Sequence, residues 1–67
     1  MIAFIAGVKP EAMETEMPKL LDLVQGFDGL VEIRRNDDHP NLLMLCFETK
    51  EQATTAQWLL DLNGGKS

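Results

Sequence analysis

Hydrophobic and polar residues fall into five blocks along this chain, and each block has its own period. The first, MIAFIAGV (1–8), is apolar throughout, rich in Ile, Phe and Val, and stops at Lys9-Pro10. Pro10 removes a ladder donor and Gly7 loosens the end, so the block predicts a strand. From Pro10 the period lengthens. Met13, Met17, Leu20, Leu21 and Val24 recur at helical spacing and form one apolar stripe. Proline suits the first helical position, and Glu11, Glu14 and Glu16 suit a helix N-terminus. Pro18 interrupts the stripe, at a cost of about 3 kcal/mol in a helix interior. Either the helix kinks at Pro18 or Pro18 starts it; the stripe runs through in phase, which favours the kink.

After the stop signal QGFDGL, the block LVEIRRN (30–36) alternates. Val31 and Ile33 are expected to point inward and Glu32 and Arg34 outward, giving a strand buried on one side. NDDHPN reads as a polar turn and LLMLCFE (42–48) as the next strand, paired with its predecessor as an antiparallel hairpin. The last block, TKEQATTAQWLLDLNGG, carries the capping box Thr49-x-x-Gln52 and a C-terminal stop at Asn63-Gly64, so it predicts a helix followed by a loose tail over 63–67. Strand, helix, strand, strand, helix is the order of an α+β, ferredoxin-like βαββα domain, with an antiparallel sheet, helices on one face and no fourth strand. The whole chain, 1–67, reads as a single small domain.

The strand at 42–48 changes this picture. Leu43, Leu45 and Phe47 point one way and Leu42, Met44 and Cys46 the other, so both faces are apolar. One layer of helices covers one face. About 400 Å² of apolar sheet left wet would forfeit roughly 10 kcal/mol, comparable with the whole stability of a small domain. A second copy packed sheet on sheet is the simplest cover. The last helix adds to the surplus. Ala53, Ala56 and Leu60 share a stripe suited to close packing on a sheet, whereas Trp58 and Leu62 lie roughly opposite, so contacts on more than one side are expected. Tryptophan is also enriched in interface hot spots. The predicted interface is therefore Leu42, Met44, Cys46, Trp58 and Leu62.

The run GFDGLVEIRRNDDHPNLLMLCFETKEQATTAQWL, after MIAFIAGVKPE, resembles the small α+β-barrel domains of the antibiotic biosynthesis monooxygenase type in element order, spacing and turn residues. That resemblance implies a dimer built through the sheets, and in some members oxidation of polyketides or degradation of haem. It transfers no catalytic residue, because Asn36, His39, Asn41 and Trp58 align with no catalytic position of the family. The chain contains no Tyr.

Composition narrows the classes further. The net charge is −5, from 6 Lys and Arg against 11 Asp and Glu. That argues against a binder of nucleic-acid backbone, which needs a basic face. Eight opening apolar residues are too few for a membrane span, and the segment lacks the charged start and cleavage site of a signal peptide. A single cysteine allows no internal disulfide and fits the reducing cytoplasm. No cofactor or metal set is evident. His39 beside Asp37 and Asp38 reads as a turn whose Asn and Asp side chains bond to the local backbone. Cys46 lacks a local cation or helix terminus to activate it and reads as a small core residue. Arg34 and Arg35 read as edge charges.

The sequence thus predicts a non-catalytic interaction or regulatory module, acting as a homodimer or complex subunit through the apolar sheet face and the last helix. One alternative is a monooxygenase-like enzyme, or a binder of a small aromatic or haem-like ligand, with its site between helices and sheet. Another is an accessory, phage-type inhibitor of a host protein.

Overall fold

The computed structural model describes residues 1–64. Strand β1 (Ile2–Gly7) leads through a 3-10 turn at Pro10–Ala12 into helix α1 (Met13–Val24); β2 (Leu30–Asn36) and β3 (His39–Phe47) follow, and helix α2 (Lys50–Gly64) closes the chain. The sheet order is β1-β3-β2, with both pairs antiparallel, so the last strand lies between the first two. Its helix-facing side is sealed: Leu43, Leu45 and Phe47 are fully buried, with Met17 and Val24 of α1 and Ala53 and Ala56 of α2 packed into the same core. Phe47 anchors it, stacked on Phe4 with ring centroids 5.5 Å apart and tilted against Phe27 at 6.5 Å. Its Cα positions span 32 × 28 × 15 Å, a slab two layers deep.

The helices meet the sheet as their stripes require. Met17 and Val24 are buried and Leu20 and Leu21 half-buried. Helix α1 begins at Met13 rather than Pro10, after the 3-10 turn, and then continues through Pro18. Because proline has no N–H, the Glu14 carbonyl loses its partner within the helix. In α2 the capping box is reciprocal: the Gln52 N–H donates to Thr49 Oγ1 at 3.2 Å and the Thr49 N–H donates to Gln52 Oε1 at 3.3 Å. The expected tail starts too early, since Asn63 and Gly64 belong to α2 and the Asn63 amide donates back to the Leu59 carbonyl at 2.9 Å. Residues 65–67 of that tail lie outside the described residues.

Three details of the strands depart from the sequence pattern. Val31 does not point inward: the β2–β3 register shifts between Leu30 and Glu32, and Val31 is the extra residue of a bulge, 54% exposed. Leu30 takes its place beside Phe47. Strand β3 starts at His39, so the predicted six-residue turn shrinks to Asp37 and Asp38, with the Asp38 N–H donating to Asn36 Oδ1 at 2.8 Å. Neither turn residue has positive φ. The turn is therefore not the primed kind whose twist matches the strands, and the register shifts again just behind it, between Arg35 and Asn36. Pro40 sits where the ladder to β2 is already broken, which is where a strand tolerates a missing donor.

Candidate functional site

Four of the exposed large apolar residues form two patches on opposite sides of the slab, Ile5 with Met44 and Trp58 with Leu62. The first is the outer face of the sheet. In register, Ala3, Ile5 and Gly7 of β1 lie beside Cys46, Met44 and Leu42 of β3, and Glu32 and Arg34 of β2 lie on the other side of Cys46 and Met44. At its centre is the cross-strand pair Ile5–Met44, 57% and 38% exposed. Leu42 is half-buried. Cys46 faces the same way but is only 5% exposed, set between Ala3 of β1 and Glu32 of β2.

The β2 side of this face is polar. Arg34 donates from Nε to Glu32 Oε2 at 2.9 Å, two residues away along the strand. That hydrogen bond, with the charge of Glu32, raises the guanidinium pKa above its ordinary value. The pair is exposed, so its stabilising effect is small. Its effect on charge matters more: Glu32 and Arg34 cancel, so the strand residues of this face carry no net charge on an acidic chain.

The second patch is Trp58 and Leu62, 61% and 45% exposed one turn apart on α2. Ala53 and Ala56 on the other side of the helix are buried against the sheet, so Trp58 and Leu62 point away from it. The five predicted interface residues are therefore not one surface: Leu42, Met44 and Cys46 belong to the sheet, Trp58 and Leu62 to the helix layer. Sequence reasoning missed Ile5. Its alternation with Phe4 and Ala6 was the available signal, since the core takes those two and leaves Ile5 outside.

Between the helices lies an open cleft of about 840 Å³. Phe4, Ala6 and Val8 floor it, Leu20 and Leu23 of α1 and Leu60 of α2 add apolar walls, and Glu16, Lys19 and Asp61 stand among the polar lining residues. Among the described residues no group of three His, Cys, Asp or Glu side chains could hold a metal ion, and no buried side-chain polar atom lacks a hydrogen bond. His39, Asp37 and Asp38 are all exposed. Their neighbourhood is the hairpin turn.

Comparison with known proteins returns no matching family model, no matching curated protein and no matching solved structure. No helix of the described residues is long and apolar enough to cross a membrane.

Proposed function

We propose that this chain is a small, non-catalytic interaction or regulatory module, a ferredoxin-like domain lacking its fourth strand, that works as a homodimer or complex subunit through the outer face of its sheet. The observation that carries this is the exposed Ile5–Met44 pair on the face opposite the sealed core side of β3. A second copy is the favoured partner. The chain carries −5, yet the charged strand residues on this face, Glu32 and Arg34, pair with each other, so the strands bring no net charge to the contact. Sheets pack face to face at about 10 Å, and the side chains of Ile5 and Met44 would interdigitate at the seam. The patch at Trp58 and Leu62 then remains outward for a further protein. The lone thiol, Cys46, is in keeping with a reducing compartment such as the cytoplasm.

Met44→Glu puts a charge at the centre of the seam. Sedimentation equilibrium is expected to show the face-to-face step of self-association weakened by about a hundredfold, equivalent to about 2.7 kcal/mol. Unchanged association in a folded Met44→Glu protein sinks this reading.

A second reading rests on the cleft. Its Phe4 floor and leucine walls suit a small aromatic or haem-like ligand, in keeping with the monooxygenase-like layout of the sequence. Because Trp58 points away from the sheet, ligand absorbance is the better reporter than protein fluorescence. Absence of saturable change with haem or an aromatic polyketide analogue at high micromolar concentration rules it out.

A further inference from the structure

The sheet has two open edges, and they are built differently. The β2 edge carries Glu32, Arg34 and Arg35, and its register shifts twice. Charges and bulges of this kind keep an edge from pairing with another chain. The β1 edge has neither: Ile2 to Gly7 contains no charged residue, and its six pairs with β3 run without a shift.

The direction of its backbone groups follows from one bond. The Val8 N–H donates to the Asn41 carbonyl at 3.0 Å, and the Asn41 side chain donates back to the Val8 carbonyl at 2.9 Å. Antiparallel pairs alternate, so the even-numbered residues of β1 turn their N–H and C=O toward β3, and Ala3, Ile5 and Gly7 turn theirs to the open edge.

We propose that this edge pairs antiparallel with β1 of a second copy, about a two-fold axis at Ile5. Ala3 then faces Gly7 of the partner, Ile5 faces Ile5, and each residue gives one N–H and receives one, closing about six hydrogen bonds. Two three-stranded sheets become one of six strands. The seam holds no charged strand residue, so the acidity of the chain does not oppose it. Small side chains at Ala3 and Gly7 leave room on either side of the axis, and the Ile5 side chains complete an apolar band from Met44 to Met44 across both copies. This contact is separate from face-to-face packing and stands or falls without it.

The test removes the face contact first. Met44→Glu is expected to remain dimeric through the edge. Adding Ala3→Pro deletes an outward N–H without touching the ladder to β3, and is expected to give a monomer with unchanged circular dichroism. In a Met44→Glu, Cys46→Ser background, Ile5→Cys places two thiols across a hydrogen-bonded pair, with Cα atoms about 5.5 Å apart, inside the range a disulfide spans. Mild oxidation should cross-link it at least about tenfold faster than Thr54→Cys on exposed α2, because the paired thiols have a high effective concentration. Cross-linking no faster than at Thr54 overturns the proposal, as does a folded Ala3→Pro protein that stays dimeric. If Ala3→Pro does not fold, the cross-linking rate decides alone.

Discussion

The two faces of β3 are both apolar, yet only the inner one is sealed along its length. Leu43, Leu45 and Phe47 are inaccessible to solvent, whereas Met44 keeps more than a third of its surface and its neighbour Ile5 more than half. Apolarity does not distinguish them. What does is the cover: Ala53 and Ala56 give α2 a flat side that approaches the sheet closely, and Met17 and Val24 bring α1 down beside it. Among the described residues the outer face has no such layer, and the Glu32–Arg34 pair lies at its β2 side. A strand's composition therefore states how much burial it needs, and the helices state how much they can supply.

Substitutions can break that comparison, beginning with the sealed side. Phe47→Ala removes the ring that stacks on Phe4 and should cost about 3–5 kcal/mol, comparable with what one small core supplies in total. Urea titration should find the variant largely unfolded. If it unfolds at the wild-type midpoint, the inner face is not the core.

The cover can be loosened without touching the sheet. Gly29 has φ +81°, and an added Cβ would land on the Gln52 side chain that completes the α2 cap. Gly29→Ala thus combines a strained backbone with a displaced cap and should cost about 2 kcal/mol, read as a lower urea midpoint with an unchanged slope. Thr49→Ala removes one half of the same cap and should cost about 1 kcal/mol. A Thr49→Ala loss as large as that of Gly29→Ala would mean that the turn at Gly29 contributes nothing of its own.

The open side sharpens the contrast. Met44→Ala, measured at a dilution where the chain is monomeric, should shift stability by less than about 0.5 kcal/mol. At higher concentration it should fall below wild type, because stability then includes the partner. A cost of 2 kcal/mol at every concentration would make Met44 a core residue and remove the difference between the faces.

Much of this was legible where the determining chemistry is local. Strand β2 spans the residues its alternation marks, and the Thr49–Gln52 box closes as its spacing implies, because a cap is a matter of three residues. The bulge at Val31 was not legible, since its cause is the register against β3, some fifteen residues away along the chain. Pro40 reads as a breaker, yet it lies in β3 because the ladder to β2 had already lapsed there. The candidate surface suffered the same way. Trp58 and Met44 both look like surplus apolar residues, and only the packing of α2 on the sheet puts them on opposite sides.

Pro18 sets where the molecule breathes. Helix α1 enters without a side-chain cap at Ala12, and the Glu14 carbonyl lacks its usual donor, so its first turns can open while the sheet stays intact. Amide protons of Thr15, Glu16, Met17 and Lys19 should exchange with solvent well ahead of those in β3, which is bonded on both sides. Those same turns supply Glu16 and Lys19 to the wall of the cleft. Opening of those turns would therefore widen the cleft, at a cost set by the free energy of lifting the start of one helix.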